Sequence, residues 1–488
     1  MRPIARLAAL AATLAPLLLA TPAAVGAERP NIVWIVVDDM SPNFSCYGET
    51  TIQTPNVDRL AREGTRFAEA FVTAPVCSPC RSALITGMYQ TSIGAQNHRS
   101  GRGAEKIVLP EGVEPIPALL RRHGYYTAIG SPNSRSQLGK TDYNFEWDRS
   151  MYDGADWSGR KPGQPFFMQV QLNGGKQREG ANWLKTVRKR HVPTKAEAVT
   201  LPPYYPRDPV LLEDWAAYLD AVRQTDRQVG EVLARLRSEG ILDETVVMFL
   251  TDHGISHARG KQFLYDEGIR VALLMRGPGV PAGAAREDLV SQIDMTATTL
   301  ALAGVPIPPR MQGRDLLAKD YAPRDAVFSA RDRCDETVDQ IRSVRTARHK
   351  YIRNGLPGRP MLQPNRYKDA KPILIRLREL HASGGLDELQ ERILFAPTRP
   401  KEELYDLQAD PHELRNLADD PAHRATLEAL RKRLDDWAAE TGDQGARPES
   451  AALYDSDMKV YLDAMQPDVA GDVRRNIATM QAWAAAGK

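Results

Sequence analysis

Cysteine is scarce in this chain: Cys46, Cys77, Cys80 and Cys334 are the only four in 488 residues. So few in so long a chain exclude a disulfide-built scaffold and leave room for two bridges at most. Charge of either sign is not in excess. Lys and Arg number 64 against 62 Asp and Glu, a net charge of +2. That excludes the broad basic surface on which nucleic-acid binding depends, and any attraction for an anion must be local. Beyond the N-terminus no apolar run is long enough to cross a bilayer, and internal repeats and low-complexity tracts are missing. What remains, 42% hydrophobic and 26% charged residues, is ordinary globular material. It suffices for one large domain and a smaller one.

The first 27 residues read differently. Arg2 and Arg6 precede an apolar run from Leu7 to Ala20, and small residues follow to Ala27. This is the pattern of a secretory signal cleaved after Ala27. As an uncleaved anchor the run is short, and Pro16 and Pro22 interrupt it. The mature protein is expected to be exported, periplasmic or secreted, with no membrane association after cleavage.

Asn31–Val37 (NIVWIVV) and Thr245–Leu250 (TVVMFL) are continuous apolar, β-branched runs. Such runs suit strands buried on both faces, as in a parallel sheet. Tyr125–Ile129, Phe166–Leu172 and Val271–Met275 read as further strands. Between them lie helical patterns: Pro55–Glu63, with Thr54 as cap and Gly64 as stop, and Pro209–Ser238, stopped at Gly240. The alternation predicts an α/β fold with a mostly parallel central sheet flanked by helices. After about residue 345 the texture changes. Lys350–Arg353 (KYIR) and Glu403–Leu407 (ELYDL) read as short strands, and Ala425–Glu440 as an amphipathic helix. The expected division is a signal over 1–27, a catalytic domain over 28–345 and a smaller α+β subdomain over 346–488.

Cys77 and Cys80 stand in a C-x-x-C frame within VCSPCRSALITGMY, residues 76–89. A zinc site needs two more ligands, and Cys46 and Cys334 are single and remote. A redox pair at a helix start, with its lowered thiol pKa, is the stronger alternative. It leaves Arg81, Thr86-Gly87 and two acidic strand ends unexplained. Those ends are Asp38-Asp39 after the first run and Asp252-His253-Gly254 after the second. Ligands of open α/β sheets bind beyond the carboxyl ends of strands, so the two ends can share one metal ion. Asp-Asp alone would read as a cap or a turn.

Cys77-Ser78-Pro79-Cys80-Arg81 with Leu84-Ile85-Thr86-Gly87 resembles the C-x-P-x-R-x-x-x-x-T-G signature of the formylglycine (type I) sulfatases, members of the alkaline phosphatase superfamily. The resemblance implies that Cys77 is converted by a formylglycine-generating enzyme to an aldehyde whose hydrate is the nucleophile. It implies that Arg81 holds that hydrate, and that Asp38, Asp39, Asp252 and His253 bind one divalent metal, calcium by family habit. Carboxylates suit that hard ion, while the imidazole, at a position often filled by Asn, admits a softer one. Pro79 suits the first turn of a helix, whose N-terminus favours an anion. Gly260-Lys261 through Tyr265-Asp266-Glu267-Gly268 resembles the family stretch whose lysine contacts sulfate, and His257 is a candidate acid or sulfate contact. Lys140, in Leu138-Gly139-Lys140, aligns with a family lysine.

The chain also departs from the family. Asp142 replaces a histidine after Lys140, and Asn173-Gly174-Gly175-Lys176 replaces a histidine after the Phe166–Leu172 strand, with Lys176 as the substitute. Cys80 fills a place usually held by a small residue and could form a disulfide with Cys77. Arg331 to Glu336 is a dense polar cluster, read as substrate contact through Arg333 and Asp335 to sugar or sulfate groups. Glu403 to Leu407, Asp410-Pro411 and Asn416-Leu417 resemble the ending of many sulfatases, so the likeness covers nearly the whole mature chain. The expected function is hydrolysis of a sulfate ester of a carbohydrate or an aryl or alkyl alcohol. The rivals are a phosphonate monoester hydrolase or phosphodiesterase of the same superfamily, and a non-catalytic binder of sulfated glycans.

Overall fold

The computed structural model describes residues 29–132, 134–446 and 449–488. The expected signal, 1–27, lies outside the described residues. The five apolar runs form strands: β1 (Asn31–Val37), β3 (Tyr126–Gly130), β4 (Phe166–Leu172), β5 (Thr245–Thr251) and β6 (Arg270–Arg276). With β2 (Thr65–Phe71) and β7 (Ala284–Ser291) they build a sheet in the order β3-β4-β1-β5-β6-β2-β7. Only β6 runs against its neighbours, so the sheet is mostly parallel. The sequence pattern misses β2 and β7 because charged residues interrupt their apolar positions, Arg66 and Glu69 in one and Arg286, Glu287 and Asp288 in the other.

β1 is buried at every position and lies between β4 and β5, parallel to both. Val37 pairs with Leu172 on one side and Thr251 on the other. The residues that follow, 38–39, 173–176 and 252–253, therefore leave the sheet side by side at one rim. β2 runs the same way as β5, since each is antiparallel to β6. The loop after β2 thus reaches the same rim and enters helix α2 (Cys77–Thr86).

Helices cover the sheet. Helix α1 (Pro55–Glu63) does begin after Thr54, but the Thr54 side chain does not cap it. Asp226, on the long helix Pro209–Ser238, accepts from the Asn56 and Val57 amides at 2.9 and 2.8 Å. A carboxylate from another helix satisfies the orphan donors that Thr54 was expected to take. The long helix has the expected bounds, is capped by Asp208 on Val210 N, and is followed by Gly240 at φ 73°.

A second, antiparallel sheet has the order β11-β10-β9-β8. Its strands are β8 (Val327–Arg331), β9 (Ile341–Arg345), β10 (His349–Asn354) and β11 (Glu402–Asp406). Two of them precede residue 346 and two follow it. Helix Arg424–Thr441 packs Leu427, Leu430, Leu434 and Trp437 against this sheet, with Trp437 stacked on Phe328 at 5.1 Å. Helices Ala451–Asp463 and Pro467–Ala485 close the chain. Among the described residues no helix is long and apolar enough to cross a membrane.

The core under the rim depends on large side chains in β1 and β5. Phe249 is fully buried and meets Phe44 edge to face at 5.3 Å. Phe249→Ala is expected to cost about 3–5 kcal/mol, measured as a lower denaturation midpoint with unchanged slope.

Candidate active site

Val76 is extended and Cys77 is the first residue of α2. Pro79, in the first turn, gives up no hydrogen bond the helix needs. Gly87 ends the helix at φ 67°, a conformation that favours glycine. The whole helix is buried, and its free N–H groups open onto the rim. Cys77 Sγ lies 3.2 Å from His253 Nε2, 3.3 Å from Lys261 Nζ, 3.6 Å from Lys176 Nζ and 3.8 Å from Asp39 Oδ1. Burial opposes ionisation of the thiol, but Lys140, Lys176, Lys261 and His253 outweigh it and pull the group well below its ordinary pKa. The position is built for negative charge.

The acids and cations around it interlock. Asp38 Oδ2 accepts from Lys140 and from Lys176, each at 2.9 Å, and Asp38 Oδ1 from Arg81. Asp39 Oδ1 accepts from Lys261 at 3.0 Å, and Asp39 Oδ2 from the Tyr367 hydroxyl at 2.6 Å. Asp252 Oδ2 accepts from Arg81 Nη2 at 3.0 Å, and Arg81 also donates to Gln171. Burial works against charge on Asp38 and Asp39, yet Arg81 and the lysines hold both well below the usual carboxylate range. Asp252 is different: burial lifts it to about 7 against the pull of His253 and Arg81. Its carboxylate has less positive charge nearby than its burial calls for.

That surplus bears on a metal. Asp39, Cys77 and His253 bring one ligand atom each to within 4.8 Å of one another, and Asp252 Oδ1 lies 3.5 Å from His253 Nε2. The His253 Nδ1 is 2.9 Å from the Gly254 carbonyl. A proton on Nδ1 leaves the Nε2 lone pair free toward the acids. Three carboxylates and one imidazole, all buried, fit a divalent cation.

Local backbone explains why the lysines arrive. A Cβ on Gly174 would stand 2.0 Å from the Asp38 carbonyl, and one on Gly175 2.2 Å from that of Asp39. Only glycine lets the turn after β4 come down on Asp38-Asp39, where the Gly175 amide donates to Asp38 O at 2.9 Å and Lys176 follows. Lys261 is held by its own amide on Ile255 O at 2.7 Å. The next amide, Gln262, donates to Pro75 O at 2.9 Å and ties this loop to the approach of Cys77. Asp142 bridges Lys140, at 3.7 Å, and Arg102, at 2.7 Å. The carboxylate in the histidine's place thus continues a charge chain outward from Asp38.

Two expected contacts are not formed. His257 is fully buried among Trp215, Tyr205 and Tyr218, and its Nε2 lies 2.6 Å from Asp214. Burial lowers it to about 4 despite Asp214, so it is neutral at pH 7 and is no proton donor of the acid kind. Through Asp214 it instead supports Arg178, which donates to Gly175 O at 2.8 Å. Arg333 is also turned inward: its guanidinium is spent on Glu449, Asp457 and the carbonyls of His98 and Asp335. Those acids come from the helix Ala451–Asp463 and the residues just before it, which no local pattern around Arg333 could foretell. Asp335 does reach the neighbourhood of the site, 3.7 Å from His98.

No disulfide joins Cys77 to Cys80, and all four cysteines are free. The Cys80 thiol turns away to Asp252 O at 2.6 Å and Gln292 Oε1 at 2.9 Å. The sequence reading missed Tyr367, Gln171 and His98. Tyr367 touches Asp39 and lies under Lys261 at 4.5 Å, from a short helix far along the chain. Gln171 is a polar residue in an apolar strand run, which was the one signal available. His98 Nδ1 lies 2.7 Å from Ser78 Oγ.

Known proteins resemble this chain. A family model described as Sulfatase matches residues 30–305. An ulvan-active sulfatase of Formosa agariphila is 33% identical over 87% of this chain and 77% of its own. The human N-sulphoglucosamine sulphohydrolase is 28% identical over 85% of this chain and 91% of its own. A solved structure of BT4656 in complex with its substrate D-glucosamine-2-N,6-O-disulfate superposes with a TM-score of 0.58, covering 88% of this chain and all of that one at 19% identity.

The neutral His257 predicts a pH effect. Its native pKa of about 4 lies below the ordinary 6.5, so between these values the unfolded chain takes up a proton that the native chain refuses. The stability it contributes is present above pH 6.5 and lost as pH falls toward 4. From pH 7 to 4 the wild type is expected to lose about 3 kcal/mol more than His257→Gln, read from urea unfolding at each pH. Parallel losses in both proteins would show that the native imidazole is charged.

Proposed function

The chain belongs to the sulfatase family and is a sulfuric ester hydrolase, and we propose that it removes sulfate from sulfated carbohydrates by means of a formylglycine formed at Cys77. The observation that carries this reading is the placement of Cys77 at a helix N-terminus, within 3.6 Å of Lys176, Lys261 and His253. Cationic groups fixed in advance around the reacting atoms are the largest source of stabilisation for such a displacement.

In the proposed enzyme the Cys77 Sγ stands in for an oxygen of the aldehyde hydrate. Formylglycine supplies a pair of hydroxyls on one carbon, one to attack sulfur and one to restore the aldehyde. Asp38, Asp39, Asp252 and His253 would hold the divalent metal, calcium by preference for three carboxylates, which when bound would polarise a sulfonyl oxygen and acidify the nucleophile. The chain's own groups do the rest. Lys176 and Lys261 bind sulfate oxygens. Their charge is secure, because Asp39 and Cys77 raise both ammonium groups against the opposing effect of burial. Arg81 fixes Asp38 and Asp252 through its guanidinium fork. The amides at the start of α2 face the anion, and Lys140 adds a further cation on Asp38.

Lys176 takes the place of the family histidine and enters as a cation that grips sulfate. Glycan substrates are supported by the relatives, an ulvan-active sulfatase and an N-sulphoglucosamine sulphohydrolase, and by the disulfated glucosamine bound to the structural neighbour. The maturation partner is a formylglycine-generating enzyme, and the N-terminal segment directs export to the periplasm or beyond. The replacement of two histidines by Asp142 and Lys176 motivates a second reading, a non-catalytic binder of sulfated glycans, against which the intact Cys77, Arg81 and metal-ligand set argues.

The first test is the mass of the tryptic peptide Phe67–Arg81 from protein produced with a formylglycine-generating enzyme. An aldehyde at Cys77 beside an unmodified Cys80 is expected; a Cys77–Cys80 disulfide or two free thiols would overturn the assignment. The matured enzyme is then expected to prefer 4-nitrophenyl sulfate to 4-nitrophenyl phosphate. Cys77→Ser should lose about a thousandfold or more in turnover and accumulate a stable sulfated adduct. Undiminished turnover by that variant refutes the nucleophile.

A further inference from the structure

A cleft of about 250 Å³ opens between the loop 97–103 and the helix Ala451–Asp463. Its walls include His98, Arg99, Arg102, Asp335, Met458 and Tyr461. It adjoins the site directly. Ser78, the residue after Cys77, takes the Arg99 amide on its hydroxyl at 2.9 Å and lies against His98 at 2.7 Å. Burial pushes the Asp335 carboxyl up, Arg99 and Lys261 pull it down, and Cys77 pushes it up again. Asp335 is thus within electrostatic reach of the nucleophile position.

One atom in this cleft lacks what its burial demands. Asp335 is 5% exposed, and its Oδ1 accepts no hydrogen bond among the described residues. Its nearest cation, Arg99 Nη1 at 3.5 Å, and the His98 Nε2 at 3.7 Å, on a ring that burial keeps from protonating, stop short of it. A buried carboxylate oxygen left without a donor is costly. Asp335 sits at φ 50° in a tight turn closed by reciprocal Cys334–Thr337 backbone bonds of 2.9 and 3.0 Å, which fixes the backbone from which the carboxylate projects. Arg99 is the opposite case, a donor with 44% of its side chain exposed.

We propose that this cleft is the sugar subsite, in which Asp335 and Arg99 together hold a ring hydroxyl next to the sulfate ester. The inference rests on the sulfatase reading and adds the part of the substrate that carries the sulfate. The pairing selects the chemistry. A hydroxyl donates to Asp335 and accepts from Arg99 through the same oxygen. A second carboxylate or sulfate would only accept and would be repelled by Asp335. An aryl group would satisfy neither. The size agrees: a cleft of about 250 Å³ has room for a sugar ring. Tyr461 supplies an aromatic wall from the helix Ala451–Asp463.

The test is calorimetric titration of a Cys77→Ala protein, which binds without turnover, against a panel of monosulfated methyl pyranosides and against 4-nitrophenyl sulfate, which has no sugar. At least one pyranoside is expected to bind more tightly than the aryl sulfate. Adding Asp335→Asn is expected to weaken that pyranoside about tenfold or more relative to the aryl sulfate. The deoxy analogue lacking the adjacent hydroxyl should show no such further loss. Arg99→Met, at a half-exposed position, is the second variant and should give the same selective loss. A panel that binds no better than 4-nitrophenyl sulfate, or equal losses for both ligand types, overturns the subsite. Sulfate release plays no part in these titrations, so a matured enzyme that fails to hydrolyse sulfate esters would sink the hydrolase reading while the Kd comparison still decides the cleft.

Discussion

The structure depends on a dense set of charges buried at one rim of a parallel sheet. Asp38, Asp39 and Asp252 face Arg81, Lys140, Lys176 and Lys261, and none of the three acids is more than 4% exposed. Taking so many ions out of water is unfavourable unless each finds its opposite. The sheet makes that possible by ending three adjacent parallel strands at one level, so that residues far apart in sequence emerge as neighbours. The remaining demands follow from this. Glycine is required at 174 and 175 because the Asp38 and Asp39 carbonyls lie beneath them. The left-handed backbone of Asp39, at φ 51°, is tolerated because its amide finds Asp252 and its carboxylate finds Lys261 and Tyr367.

Much of this was legible in the residue order, for a physical reason. A strand buried on both faces must be continuously apolar, so NIVWIVV and TVVMFL declared themselves, and the acids that end such runs mark the rim of the sheet. The Cys77 signature is local, contained in one helix turn and its approach. The parts that escaped are those assembled from a distance. β2 and β7 carry charges that break the apolar pattern. The cap of α1 comes from Asp226, about 170 residues away. Arg333 is used up by acids that arrive only with the last helices, and Tyr367 reaches Asp39 from 328 residues downstream. His257 was read as a possible reactive group because histidine near a site invites that; only its burial beside Trp215 and Asp214 shows an imidazole that holds Arg178 and the turn bearing Lys176.

Cys80 shows how one frame supports two different fates. Both cysteines of C-x-x-C are buried on α2, one turn apart, yet their surroundings are opposite. Burial and the nearby Asp252 push the Cys80 thiol well up, with Arg81 opposing, while the lysines pull Cys77 well down. A thiol held protonated between Asp252 O and Gln292 is a poor nucleophile and a poor partner for a disulfide. The helix thus presents one reactive position and one inert one without changing the residue type.

The helix Ala451–Asp463 is held by a few side chains: Tyr454, which donates to Glu336 O at 2.8 Å, Ser456, which takes the Ala104 amide at 2.7 Å, and Asp457. Asp457 alone takes the amides of Gly101, Arg102 and Gly103 at 3.0–3.3 Å and also pairs with Arg333. The outer wall of the cleft and the chemical centre therefore belong to separate stretches of chain, joined through the side chains of Tyr454, Ser456 and Asp457. Over generations such a wall can be rewritten by small changes near the C-terminus while the rim of the sheet is inherited intact. Diversification of what is recognised need not disturb how it is cut.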